Sequence, residues 1–143
     1  MTFHYMKITT YCHATEEPVR VKQALVNLVG EDMEIMENEV LGHYGNTIVV
    51  MELEINKNSQ INNIFKMLSQ EELKSLWEEA DRRVDDDCNF YFRLDKGSAY
   101  EEKPILSNGN YIIKIRCKIE SYPAKRSSAV NNIRDHLQNL IKD

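Results

Sequence analysis

Residues 110–126 read NYIIKIRCKIESYPAKR, and the middle of this stretch decides the fold. Ile113, Ile115, Cys117 and Ile119 alternate with Lys114, Arg116, Lys118 and Glu120. Successive side chains on a strand point to opposite faces, so this is a strand with one apolar face and three cations in a row on the other. Like charges on neighbouring same-face positions repel, which a fold tolerates on an open, wet surface and uses best opposite an anion. A sheet covered on one side and open on the other is the architecture this predicts.

Working outward, Phe90–Asp95 in NFYFRLDKGSAY (residues 89–100) reads as a strand, with a shorter one at Pro104–Leu106 and the cationic strand spanning Tyr111–Tyr122. Phe3–Ala14 reads as a long first strand with Tyr5, Lys7, Thr9, Tyr11 and His13 on one side and Met6, Ile8 and Cys12 on the other. Thr15 is placed to cap a helix running to about Val29, with Pro18 in its first turn, Val21, Ala24, Leu25, Leu28 and Val29 as its buried stripe, and Gly30 as its stop. Ile35–Leu41 and Thr47–Asn56 form a hairpin around GHYGN. Ser59 opens a short helix to Leu68, and Ser69 with Glu72 makes a capping box for a helix to about Val84. Pro123 precedes a closing helix whose core face is Val130, Ile133, Leu137, Leu140 and Ile141. Irregularly interleaved strands and helices give an α+β fold: one mixed, mostly antiparallel sheet with helices packed on one face. No repeat or linker divides the chain, so residues 1–143 are expected to form a single domain.

Net charge is −5, unevenly placed. Residues 1–88 carry 8 Lys and Arg against 17 Asp and Glu, whereas residues 89–143 carry 10 against 6. An acidic body with a basic segment can hold a polyanion locally. Cys12, Cys88 and Cys117 are odd in number and widely spaced, suggesting neither a disulfide framework nor a zinc site. There is no apolar run of membrane-spanning length, and MTFHYMKITTYCH lacks the build of a signal peptide, so a cytoplasmic setting is expected.

If helices cover the apolar face, the open face gathers Tyr5, Lys7, Tyr11, His13, Tyr91, Arg93, Lys114, Arg116 and Lys118. Rings that stack on bases and cations that neutralise phosphates suit RNA. The competing reading is a solvated face whose tyrosines pack on Lys and Arg stems. Lys125 and Arg126 fall in the first turn of the closing helix, where cations oppose the helix dipole unless a phosphate sits beside them. Arg93 and Asp95 share a strand face and can pair, leaving Lys96 in a turn with its ammonium free to reach a phosphate. Tyr100 is either a stacking residue or a core edge.

The blocks HATE at 13–16, GHYGN at 42–46, FYFRLDKGSAY at 90–100 and IRCKIESYPAK at 115–125 resemble an archaeal family of RNA-binding proteins and predicted exosome subunits. The resemblance runs from about Phe3 to Ile141 and departs from the family pattern at Gly97-Ser98. It implies a fold similar to that of the large-subunit ribosomal protein that binds 5S RNA, RNA as the partner, and exosome or ribosome-associated proteins as further partners.

An enzyme is the weaker alternative. Asp85–Asp87 would have to bind Mg²⁺ with His13 or His43 as base, yet consecutive residues rarely converge on one octahedral ion. The histidines at 4, 13, 43 and 136 lack ligand spacing, and His43 between glycines fits a turn better than an acid/base role. A third possibility is a protein-interaction module docking a basic partner through the acidic stretches Glu31–Glu39 and Glu71–Glu79. The sequence therefore points to a non-catalytic RNA-binding protein without cofactor or metal, with Lys114, Arg116, Lys118, Arg93, Lys96, Lys125 and Arg126 as phosphate contacts and Tyr91 and Tyr11 as stacking residues.

Overall fold

A computed structural model describes residues 2–42 and 44–142; the expectation for His43 lies outside them. The element order is β1 (Phe3–Cys12), α1 (Pro18–Val29), β2 (Met36–Leu41), β3 (Thr47–Ile55), α2 (Asn58–Lys66), α3 (Gln70–Glu78), α4 (Ala80–Arg83), β4 (Asn89–Asp95), α5 (Lys96–Tyr100), β5 (Ile112–Ile119) and α6 (Arg126–Leu140). The five strands form one open sheet in the order β2-β3-β1-β5-β4. Every pairing is antiparallel, so the α+β class holds and the sheet is antiparallel throughout.

Alternation sorts the strands as their sequences require. Ile113, Ile115, Cys117 and Ile119 are buried, together with Phe90, Phe92 and Leu94 of β4 and Met51, Leu53 and Ile55 of β3. In β1 the strict period is interrupted, because the register with β5 shifts between Phe3 and Tyr5. That irregularity lets Phe3 and Met6 both point into the core, which simple alternation from Tyr5 would forbid. Thr10 is the buried polar residue of this face, and its hydroxyl donates to the Ile112 carbonyl at 3.0 Å. Phe65 stacks on Phe3 at 5.6 Å and tilts against Phe92 at 5.4 Å, joining α2 to the sheet. His136 is built into the same cluster: its ring meets Phe3 edge-on and bonds Asn62 at 2.7 Å and Thr2 at 2.9 Å, and burial pushes its pKa down.

The helices follow their caps. α1 begins at Pro18 with Glu17 as N-cap, two residues later than Thr15, because the 13–16 turn closes on itself through Glu16 N–H to the His13 carbonyl at 2.9 Å. It ends at Gly30, whose φ of +91° suits glycine. α2 starts after Lys57 rather than at Ser59 and has no side-chain cap. The capping box of α3 is present in both directions at 3.1 Å. The helix expected to reach Val84 breaks at Glu79, which receives both Arg82 and Arg83, and Val84 turns extended to bridge Phe90. α5 was not legible as a helix; Asp95 caps it by accepting from the Ser98 N–H at 2.8 Å. The strand expected at 104–106 is a single bridge between Leu94 and Leu106. Among the described residues, no helix is long and apolar enough to cross a membrane.

The helix layer stops short of the sheet's far edge. All six residues of β2 are exposed, and β3 is buried only from Met51 onward. The β2–β3 hairpin thus projects as an arm beyond the core.

Candidate nucleic-acid interface

Directly paired residues on neighbouring strands share a face, so the register fixes what stands together on the open side. One row across the sheet reads Glu54, Lys7, Arg116, Tyr91 from β3 to β4. The next reads Glu52, Thr9, Lys114, Arg93, and a third joins Tyr5, Lys118 and Asn89. Paired Cβ atoms lie roughly 4.5–5.5 Å apart, so Lys7, Arg93, Lys114 and Arg116 form one compact cationic field over β1, β5 and β4. Beyond β1 the field ends at two carboxylates; Glu52 holds Lys7 at 3.4 Å across a half-exposed pair.

The field lies in a groove of about 670 Å³. Arg82, Arg83 and Val84, where α4 rises beside β4, and Ser107 and Asn108 together wall it along the β4 edge. Arg83 is fixed by Glu79 at 2.6 Å and donates to the Tyr91 carbonyl at 3.2 Å. Burial alone would raise the Glu79 pKa, but the hydrogen bonds from Arg83 and Arg82 outweigh it and hold it low.

Tyr91 is held in place. Its hydroxyl donates to Asp85 at 2.9 Å while 41% of the residue remains exposed. Burial and the bond to Asp85 raise the phenol's pKa against the lowering influence of nearby Arg116. Asp85 also accepts from the Asn89 and Asp87 amides at 2.9 and 3.0 Å, and these bonds overcome the effect of burial and keep its pKa low. The acidic run expected to close a helix therefore forms a turn that braces Tyr91. Among the described residues, no group of three His, Cys, Asp or Glu is placed to hold a metal ion.

Arg116 contributes an unusual donor. Its Nε is buried and has no hydrogen-bond partner. An unsatisfied buried donor costs about 1–3 kcal/mol, a cost confined to this one nitrogen, since the guanidinium also bears on the Tyr91 side chain. Lys114 lies over the Tyr11 ring at 5.1 Å and reaches its hydroxyl at 3.4 Å, which leaves its tip on the wet side of the sheet.

Four sequence expectations change. Lys96 is not free: it is 3% exposed, paired with Glu16 at 2.9 Å, and donates to the Tyr11 carbonyl at 2.6 Å beneath the Tyr111 ring. Asp95 spends its carboxylate on the α5 cap rather than on Arg93, which stays exposed. Arg126 clamps α4 to α6 by donating to the Val84 carbonyl at 3.0 Å and to the Asp81 carbonyl. Lys118 donates to the Asp87 carbonyl. Lys125 is exposed as the N-cap of α6, remote in register from the central field. Tyr100 lies under Arg20 at 4.7 Å on the helix side, away from the groove.

A family model described as RNA binding matches residues 5–119. The chain belongs to this RNA-binding family. RNA-binding protein PAB1135 of Pyrococcus abyssi is 36% identical over 146 residues, covering 94% of each chain. Among solved structures, Mth689 of Methanothermobacter thermautotrophicus is 25% identical with a TM-score of 0.82, covering 99% of this chain and 100% of that one. AF2318 of Archaeoglobus fulgidus is 26% identical with the same TM-score, covering 93% and 98%. The family match includes Lys7, Tyr91, Arg93, Lys114 and Arg116 of the cationic field.

Within this RNA-binding fold, sequence reasoning missed the groove's walls. Arg82 and Arg83 read as the end of a long helix, and only the break at Glu79 brings them beside β4. Glu52 and Glu54 stand next to Lys7 and Thr9 through strand order and register, which the sequence reading left unassigned.

Proposed function

We propose that this protein binds RNA directly through the open face of its sheet, without catalysing a reaction. The observation that carries the reading is the juxtaposition, in register, of Lys7, Arg93, Lys114 and Arg116 around the half-exposed Tyr91 on the side the helices leave bare. Cations neutralise phosphates and set position, while rings stack on bases. Of the residues singled out in the sequence, Arg93, Lys114, Arg116, Tyr91 and Tyr11 make up this surface; Lys118 extends it at the margin, and Lys125 stands apart from it. The wider role we assign is that of a single-domain cytoplasmic accessory of RNA processing or degradation, such as an archaeal exosome subunit, with a fold related to the 5S RNA-binding ribosomal protein.

The test is fluorescence anisotropy with labelled single-stranded and hairpin RNAs at two salt concentrations, comparing the native chain with R93A/K114A/R116A after its fold is confirmed by circular dichroism. Three lost phosphate contacts should lower the salt slope by about 2, at roughly 0.7 per contact for a single strand, and weaken binding severely at low salt. An unchanged affinity would move the site elsewhere. A second reading is favoured by the projecting arm, where Met36, Val40 and Leu41 are exposed beside Glu37 and Glu39. Absence of RNA binding by the folded native chain would make this arm, as a contact for a basic protein, the functional surface.

A further inference from the structure

We infer that the groove is a single-strand site, in which one base stacks on Tyr91 and the adjoining phosphate is received by Arg116. This rests on the RNA reading above and adds which form of RNA is admitted.

Three observations converge. First, Tyr91 offers a fixed platform in the groove: 41% of the residue is exposed while its hydroxyl is anchored on Asp85 at 2.9 Å. In a duplex the bases are stacked on one another, and A-form RNA presents only base edges and 2′-hydroxyls in its shallow groove. A base can reach the face of Tyr91 only when it is unpaired. Second, Arg116 is the direct cross-strand partner of Tyr91, and both line the groove. A guanidinium offers a phosphate parallel N–H bonds at its outer edge, and the half-buried Arg116 presents its charge on the same face as Tyr91. Base platform and phosphate fork therefore stand at neighbouring positions on the face.

Third, the cationic field is narrow. It spans β4, β5 and β1, two strand intervals or about 10 Å, and then meets Glu52 and Glu54. On its other side rise α4 and the 107–108 loop. One phosphate backbone can lie along this field, whereas a second, carried by a duplex, would be directed onto the carboxylates or the walls. The groove's volume of about 670 Å³ lies within the roughly 300–1,000 Å³ of small-ligand sites, the scale of a short single-stranded segment.

The experiment compares a labelled ten-nucleotide single strand with the same strand annealed to its complement as a blunt duplex. Both are titrated with the native protein and with Tyr91→Leu, Tyr91→Phe and Arg116→Lys. The single strand should bind at least tenfold more tightly than the duplex. Tyr91→Leu should weaken it about fivefold or more with an unchanged salt slope, because stacking releases no counterions. Tyr91→Phe, which keeps the ring, should hold within about twofold. Arg116→Lys keeps the charge and loses the fork, and should weaken binding with the slope retained. Equal affinity for the duplex, or indifference of the single strand to Tyr91→Leu, would overturn the inference while leaving RNA binding intact. Failure of the native protein to bind either RNA would overturn both.

Discussion

Two corners of this molecule hold the same kinds of residue and put them to opposite uses. At the junction of β4 and α5, Lys96 is sealed under Tyr111 with both its charge and its hydrogen bonds satisfied by Glu16 and the Tyr11 carbonyl. In the middle of β5, Lys114 and Arg116 stand on a bare face, one over a tyrosine ring and the other with a donor left unpaired. Arg126 belongs with Lys96, since its donors go to backbone carbonyls of 81 and 84. The difference teaches that a cation becomes available to a ligand through what the rest of the chain declines to bring near it. Strand alternation can put a side chain on a face, but it does not say who will be waiting there.

The comparison breaks most visibly at Lys96. Lys96→Ala leaves Glu16 without its partner near the core, and removing one member of a buried ion pair costs about 3–5 kcal/mol. Urea denaturation should show that loss, while RNA affinity of the folded variant stays unchanged; a stable variant that lost RNA would make Lys96 a contact after all. Arg126→Ala should be milder. It removes charge-assisted bonds to two carbonyls, worth about 1.5–3 kcal/mol, again without effect on RNA. The smallest change sharpens the other side of the comparison. Glu52→Gln frees Lys7 from a half-exposed pair worth no more than about 1 kcal/mol, so stability should barely move while RNA affinity at low salt rises a few-fold. A fall in affinity would show that Glu52 orients Lys7 for binding.

Local pattern made the sheet legible. The alternation in β5, the capping box at Ser69 and Glu72, and the stripe of α1 each lie within a few residues and need no knowledge of tertiary neighbours. What escaped was set by distant parts of the chain. Lys96 looked like a turn residue because its partner, Glu16, lies 80 positions away. The inward turn of Phe3 depends on a register shift against β5. The break at Glu79 follows from the demand that Val84 pair with Phe90, so the arginines that wall the groove could not be placed beforehand. The candidate site was thus visible as a list of face residues, and its limits, walls and false members came only from strand order and packing.

The central claim is that RNA lies on the open face over β1, β5 and β4. Its most direct test is NMR mapping: titrate ¹⁵N-labelled protein with a short single-stranded RNA and follow every backbone amide. The account predicts that shifts concentrate at Lys7, Thr9, Tyr91, Arg93, Lys114 and Arg116, with α1, α2 and α6 silent. Shifts confined to the β2–β3 arm or to the helix layer, with the cationic field unmoved, would contradict it.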